Sequence, residues 1–366
     1  MAKSFSLTNQ FKQCGNAFRV DTYTGCNYGC KYCFANTRNG GFAKNQTYDV
    51  TPKEYLQKFF TKAFESEREY KDIDIEILKH RVPMHVGGLS DPFQEREWSL
   101  HATYDLIEIT NKYNYPAMFS TKTAHLPQKY WDILNPDIHA FQISLFTNDD
   151  SKIREYETNT PLPSERIKFI KELHNRGFWV GLRIQPLIYI EDAINLVKEL
   201  NGYVNYITVE HLKIPRDNMA IRGLFQAQLD SGNYIGNRYS RHYELITATK
   251  RENILRLKAV TNTPIGCGDN DLHELSDSRC CCGIDTINSN FDNWLKYNLT
   301  YFLTGDVTDE ERKKLWTPCN NCKKCLNGDA VIKDKFLFTE YVDLYEDKYY
   351  NNNKMEIKKK DNGTKK

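Results

Sequence analysis

The chain has 366 residues, 40% hydrophobic and 27% charged, with 50 basic against 48 acidic residues and a net charge of +2. That balance is ordinary for a soluble globular protein and neither demands nor excludes a polyanionic partner. No apolar run approaches the ~18 residues of a membrane span, and Met1–Phe5 lacks the apolar core of a signal peptide, so no membrane partner and a cytoplasmic location are expected.

Residues 18–24 alternate and are β-prone, reading as a strand that runs into Cys26-Asn27-Tyr28-Gly29-Cys30-Lys31-Tyr32-Cys33-Phe34. Thr51-Pro52-Lys53-Glu54 reads as a capping box with proline at the first helical position. Behind it Leu56, Phe59, Phe60, Ala63 and Phe64 form an apolar helix face. Val82–Gly88 is a short buried strand with a glycine end. A helix over 98–112, a strand over 117–122, a short helix near 127–134 and a strand over 140–145 follow. The next helix starts near Ser164, with Gly177 as its C-cap. A strand over 179–184, a helix over 191–200 and a strand over 206–210 close the series.

About six strand–helix units of this kind are the signature of a parallel α/β architecture. A full eight-unit barrel needs ~250 residues, so an open, partial (β/α)6 barrel of the TIM type fits better. Its chemistry is expected at the C-terminal ends of the strands. The cysteine loop, Gly87-Gly88, Ser120–Lys122, Ser144, Arg183–Gln185 and Glu210 all fall there. Beyond about 215 the pattern changes, with a helix over roughly 240–258, one further strand candidate at Thr263–Cys267, and a second capping box at Thr308-Asp309-Glu310-Glu311. The expected organisation is a barrel over 1–215, a cysteine-rich metal-binding region over 216–335, and a tail over 336–366 whose Lys-rich end is disordered. Such a tail is more often a solvated terminus than a nucleic-acid contact.

The eleven cysteines are unevenly placed: Cys14, Cys26, Cys30 and Cys33, then none until Cys267, then Cys280, Cys281, Cys282, Cys319, Cys322 and Cys325. In a reducing compartment such clusters point to metal rather than to disulfides. Cys26, Cys30 and Cys33 offer three thiolates and no fourth. A tetrahedral zinc would need another close ligand, and the nearby choices are Cys14 and His80. A 4Fe–4S cluster bound by three thiolates keeps one iron open.

The C-x3-C-x2-C spacing, with aromatic Tyr32 before the last cysteine and a strand before the loop, resembles the radical S-adenosylmethionine (SAM) superfamily. In that family the open iron chelates SAM, and an electron cleaves it to a 5′-deoxyadenosyl radical that abstracts hydrogen from substrate. The resemblance implies a cofactor site built from Gly87 and Gly88 for the SAM amino group, with Ser90 and Asp91 following. It implies Thr121, Lys122, Ser144 and Arg183 for carboxylate and ribose, and Tyr32 and Phe34 near the cluster and adenine. An electron donor such as flavodoxin or ferredoxin is implied too.

Within the superfamily the chain is similar to the spore photoproduct lyase-like group. The residues are Thr24-Gly25-Cys26, Tyr32-Cys33-Phe34-Ala35, Ser90-Asp91-Pro92-Phe93-Gln94 with Glu97, Thr121-Lys122, Glu157, Thr160-Pro161, Arg166 and Gln185-Pro186-Leu187-Ile188. That group makes a nucleobase or nucleic acid the expected substrate class, with a small metabolite or a peptide left open. The lyases use a cysteine as hydrogen donor where Gly88 stands here, so dimer repair by that route is not expected. At the other end of the chain, Cys319, Cys322 and Cys325 with an upstream cysteine such as Cys267 or Cys282 would complete a second site. It would hold an auxiliary 4Fe–4S cluster or a structural zinc. A different class, a metal-stapled nucleic-acid-binding protein without catalysis, would use the same cysteines.

Overall fold

The computed structural model describes residues 18–37, 49–68, 81–236, 241–269, 271–278 and 280–291, with short pieces at 5–7, 75 and 78–79. Cys14, the second capping box, Cys319, Cys322, Cys325 and the Lys-rich tail lie outside the described residues.

The strands are β1 (Phe5–Leu7), β2 (Phe18–Val20), β3 (Met84–Val86), β4 (Ala117–Thr121), β5 (His139–Ser144), β6 (Val180–Leu187), β7 (Tyr206–His211), β8 (Lys213–Pro215), β9 (Tyr234–Gly236), β10 (His242–Leu245) and β11 (Ile265–Cys267). The described helices are α1 (Lys53–Phe64), α2 (Glu97–Leu100), α3 (Ala102–Lys112), α4 (Gln128–Trp131), α5 (Asp150–Tyr156), α6 (Pro163–Asn175), α7 (Ile190–Glu199), α8 (Met219–Leu224), α9 (Gln226–Asp230) and α10 (Thr247–Lys258). The large sheet has the order β1-β2-β3-β4-β5-β6-β7-β11. From β2 onward every pair is parallel, and β1 alone runs antiparallel on the β2 edge. This is the expected open α/β barrel, with its six strands in sequence order. The seventh parallel strand, β11, joins β7 from beyond residue 215.

Side chains alternate along each strand, and in register the two faces differ. One row carries Phe18, Val20, Met84, Val86, Phe119, Phe141, Ile143, Leu182, Ile207 and Val209, all buried in the apolar core. The other row carries Arg19, His85, Ser120, Gln142, Ser144, Arg183, Thr208 and Glu210. The strands are therefore apolar on the face that packs in the core and polar on the face that lines the barrel lumen.

Local differences from the sequence reading have local causes. Thr51 does not cap α1. Its hydroxyl donates to the Asp21 carbonyl at 2.8 Å and its N–H to Thr22 at 2.9 Å, so it secures the chain that leaves β2. The helix expected over 98–112 is broken at His101, which takes the left-handed conformation at φ 58°. Residues 242–245 are a strand rather than a helix start, because His242–Leu245 pair between β8 and β9 in a small antiparallel sheet. Helix α5 was not foreseen. Asp149 begins it by accepting the N–H groups of Ser151 and Lys152. Gly177 follows α6 at φ 84°, as a C-terminal cap requires.

His139 gives a pH test of this packing. It is fully buried, its Nδ1 accepts the Asn135 N–H at 3.0 Å, and its Nε2 therefore carries the hydrogen given to Thr110 at 2.9 Å. Burial pushes its pKa down to about 3 from the ordinary 6.5. The unfolded chain thus binds this proton first, and stability falls as pH drops from about 6.5 toward 3. At pH 4.5 the loss from this group is expected to be about 2–3 kcal/mol. Urea unfolding of wild type and His139→Gln at pH 7 and 4.5 should show the smaller pH loss in the variant, and equal losses would contradict it.

Candidate functional site

The cysteine loop leaves β2 and is strapped down at both ends. Gln94 spans its start, accepting the Asn27 N–H at 3.0 Å and donating to the Gly25 carbonyl at 2.9 Å. The Tyr28 hydroxyl donates to the Phe93 carbonyl at 3.1 Å. On the other side the segment after α5 pairs with the loop. Cys30 forms a β-bridge with Glu157, Lys31 donates to Tyr156 at 2.9 Å, and Asn159 donates to Tyr28 at 3.0 Å. Gly29 sits at φ 65°, where a side chain would strain the turn between the first two cysteines.

Behind this loop lies a buried ion pair. Glu157 and Arg166 are both completely buried, and Arg166 bonds one Glu157 oxygen directly. The other Glu157 oxygen accepts the Tyr32 hydroxyl, between Cys30 and Cys33. Arg166 spends its remaining donors on Ser144 O at 2.9 Å, Pro161 O at 3.0 Å and Thr160 Oγ1 at 2.6 Å. Burial pushes the Glu157 carboxyl up, but Arg166, Lys122 and the Tyr32 hydroxyl outweigh it and hold it below its usual range. Lys122 lies with its ammonium 5.8 Å from the Tyr32 ring centre. Burial works against that charge, and Cys30 and Glu157 more than restore it, so its pKa is raised.

The glycine stretch after β3 is held by two acids. Asp91 accepts Thr121 Oγ1 at 2.7 Å, Lys122 N at 2.6 Å and Phe93 N at 2.9 Å. Asp21 accepts Leu89 N at 2.6 Å and Ser90 N at 3.2 Å, and lies 3.1 Å from Arg19 Nε. The Ser90 hydroxyl donates to the Tyr23 carbonyl at 2.8 Å. Ser90, Asp91 and Thr121 are thus used in shaping the loops, whereas Lys122 and Ser144 stand at strand ends and Arg183 lies in the middle of β6. Gly87, at φ 94°, could carry no Cβ, which would fall 2.5 Å from the Ser120 carbonyl. Phe34 is 49% exposed at the end of the cysteine loop.

Deeper in the lumen a polar network crosses from strand to strand. His85 Nε2 lies 2.7 Å from Ser120 Oγ, which donates to Gln142 Oε1 at 3.1 Å. Arg183 reaches Ser120 at 3.3 Å and Gln185 at 2.6 Å, and Gln185 bonds Glu210. Burial and the Arg183 charge push His85 down to about 4. The floor comes from the far end of the chain. Ser278 bonds Tyr206 at the start of β7, Cys281 O accepts Thr208 at 3.0 Å, and Cys282 O accepts Gln142 at 3.3 Å. Gly283 and Gly266 let this segment in, since a Cβ on either would fall within 2.4 Å of Tyr206 or Cys281.

Of the expected metal residues, the structure gathers Cys26, Cys30 and Cys33 on one loop. It does not bring Cys267 and Cys282 together. Gly266 faces the lumen and Cys267, next on β11, points to the opposite face with Val209. Cys282 is a lumen thiol with Arg183 and His85 in electrostatic reach and Cys281 Sγ at 3.8 Å. Among the described residues no three His, Cys, Asp or Glu side chains are gathered as ligands of one metal ion. The thiolates of an iron–sulfur cubane bind separate irons and ask for a wider triangle. Burial pushes the Cys26 thiol up to about 12, and Cys30 rises by burial as well. Binding a metal centre here would therefore be coupled to proton release. The lumen residues His85, Gln142 and Thr208 were not picked out from the sequence, whereas Gln185 was placed at a strand end. Their signal was a polar residue at alternate positions of otherwise apolar strands.

No family model matches the chain. Over 226 residues it is 27% identical to a probable dual-specificity RNA methyltransferase RlmN of Staphylococcus haemolyticus, covering 56% of this chain and 57% of that protein. A protein of the same description from Staphylococcus epidermidis is 25% identical over 224 residues, with the same coverage. The chain thus spans 57% of the length of these curated relatives. Among solved structures it is similar in fold to a spore photoproduct lyase complexed with dinucleoside spore photoproduct, at 18% identity and a TM-score of 0.50 over 71% of this chain and 77% of that one. An open parallel α/β barrel with three cysteines on the loop after its first parallel strand defines a class. The fold and these likenesses agree with the resemblance to the radical SAM superfamily that the cysteine spacing carries.

Gly88 distinguishes this chain inside that class. A Cβ there would fall 2.3 Å from Arg19 Cδ and 2.8 Å from Cγ. Gly88→Cys must displace Arg19 from Asp21, and should lower stability by about 1–3 kcal/mol. A lowered urea midpoint checks this, while an unchanged midpoint would mean that Arg19 moves aside without cost.

Proposed function

We propose that the protein is a radical SAM enzyme acting on a nucleobase or nucleic acid. One observation carries the reading. Three cysteines, with no fourth ligand among the described residues, are held at the C-terminal mouth of a polar lumen, next to the Lys122 ammonium. The donor set suits a 4Fe–4S cluster bound through Cys26, Cys30 and Cys33 with one iron open. When bound there, cluster and SAM would supply an electron and a 5′-deoxyadenosyl radical for hydrogen abstraction.

The chain's own residues would do the positioning. Lys122 and Arg183 would bind the SAM carboxylate by charge-assisted hydrogen bonds, and Ser144 would reach the ribose. The backbone at Gly87-Gly88 would take the amino group, and Phe34 would cover the adenine. Ser90, Asp91 and Thr121 would act by holding these loops in place. The open lumen beneath, lined by His85, Gln142, Gln185 and Glu210, would receive the reacting part of the substrate. The names of the relatives support nucleic acid as the class, one an RNA methyltransferase and one a lyase bound to a dinucleoside. We read 1–215 as the barrel and 216–335 as a metal-binding region that also lends β11 and the lumen floor, ahead of the 336–366 tail. A second cluster or zinc would draw on Cys319, Cys322 and Cys325 with one upstream cysteine.

Anaerobic reconstitution with iron and sulfide, followed by dithionite and SAM, should release 5′-deoxyadenosine. Cys30→Ala should release none. A wild type that binds only zinc and forms no 5′-deoxyadenosine would sink this reading in favour of a non-catalytic metal-stapled protein.

A further inference from the structure

The geometry points to Glu157 and Arg166 as positioning residues that set the electron affinity of the metal centre on the cysteine loop. This rests on the reading that the loop carries an iron–sulfur cluster. Three observations lead to it. Glu157 touches the loop twice, through its backbone bridge to Cys30 and through the Tyr32 hydroxyl on its carboxylate. Both members of the pair are completely buried, so solvent and salt screen their charges little. Arg166 meanwhile is anchored by Ser144, Pro161 and Thr160, within electrostatic reach of Cys30 and Tyr32. Its charge is fixed in place and is balanced by Glu157.

Among the described residues Lys31 sits exposed on the loop itself, where water screens it, and the charged groups packed against the loop are these. Lys122 lies over Tyr32, Asp91 stands near Cys26, and the Glu157–Arg166 pair lies behind Cys30. Reduction adds one negative charge to the centre. A neutral pair leaves that step to the other charges. With Glu157 made neutral, the buried Arg166 cation faces the loop unbalanced and favours the reduced form. The Glu157 carboxylate therefore keeps the centre hard to reduce, and Tyr32 ties it to the cysteine ligands.

The test is a redox titration of the full-length protein, reconstituted anaerobically with iron and sulfide and followed by the electron paramagnetic resonance of the reduced centre, with no SAM present. Glu157→Gln should raise the midpoint potential by at least a tenfold change in the reduced-to-oxidised ratio, which is about 59 mV for one electron. Glu157→Asp keeps the charge and should stay at the wild-type value. The double variant Glu157→Gln/Arg166→Gln removes both charges and should return to it. An iron-loaded Glu157→Gln at the wild-type potential would overturn the inference, as would Glu157→Asp shifted as far as Glu157→Gln. If Glu157→Gln holds no iron, the double variant decides, and a potential displaced from wild type counts against the inference. A wild type that takes up no cluster would instead bring down the reading beneath it.

Discussion

The buried pair of Glu157 and Arg166 ties together parts of the chain that no local rule would join. Through Arg166 it holds the Ser144 carbonyl at the end of β5 and the turn at Thr160-Pro161. Through Glu157 it holds Tyr32 and the strand-like pairing with Cys30. Two charges out of water are costly unless every donor and acceptor is used, and here Arg166 uses Nε and both terminal nitrogens. Breaking one side alone leaves a buried unpaired charge, worth about 3–5 kcal/mol. A loop of three cysteines without regular secondary structure would otherwise be tied on its other side alone, by Gln94 and by the Tyr28 hydroxyl on the Phe93 carbonyl. The pair makes the triad a rigid donor set before any ligand arrives.

That rigidity matters because of the lumen beside it. In a closed eight-stranded barrel the interior is filled with branched apolar side chains. Here the interior row is cationic, amide and hydroxyl, and the apolar row packs the other face. Such a row stays stable only if its members satisfy one another, and the chain from His85 through Ser120, Gln142 and Arg183 to Gln185 and Glu210 does so. The cost of an open, polar interior is met at the floor, where Cys281 and Cys282 present backbone carbonyls to Thr208 and Gln142. The lumen is thus polar at its walls, closed beneath, and bordered by the cysteine loop.

Much of this was legible in the sequence, for a physical reason. The triad is local, so its spacing states its chemistry, and the parallel strands announce themselves by alternation and by the helices between them. What was hidden is non-local. Tyr32 and Glu157 are 125 residues apart, and Gln142 and Cys282 are 140 apart. Glu157, Thr160 and Arg166 could be quoted as a likeness to one group, but nothing in their spacing said that they grip the cysteine loop. Ser90, Asp91 and Thr121 could be placed at the site while their partners could not. A hydroxyl or carboxylate at a strand end serves a ligand or a neighbouring loop equally well until its hydrogen bonds are known. Thr51 shows the same limit, because a capping signature was present and the hydroxyl found a better acceptor in Asp21.

Gly88 draws these strands of the argument together. Read from the sequence, it marks the absence of a thiol where related lyases have one. In the fold it marks the presence of Arg19, whose stem lies where any side chain at 88 would begin. Arg19 in turn stands beside Asp21, and Asp21 fixes Leu89 and Ser90. A side chain at 88 and the arginine stem are therefore alternatives for one space, and this chain has a cation at the lumen wall. The thiol that does reach the lumen, Cys282, comes from the segment beyond β11 that closes the floor. Two proteins can share the strand order and the cysteine loop and still present different groups to whatever occupies the lumen. What the lumen offers an occupant is set by that wall and floor, which lie outside the cysteine motif.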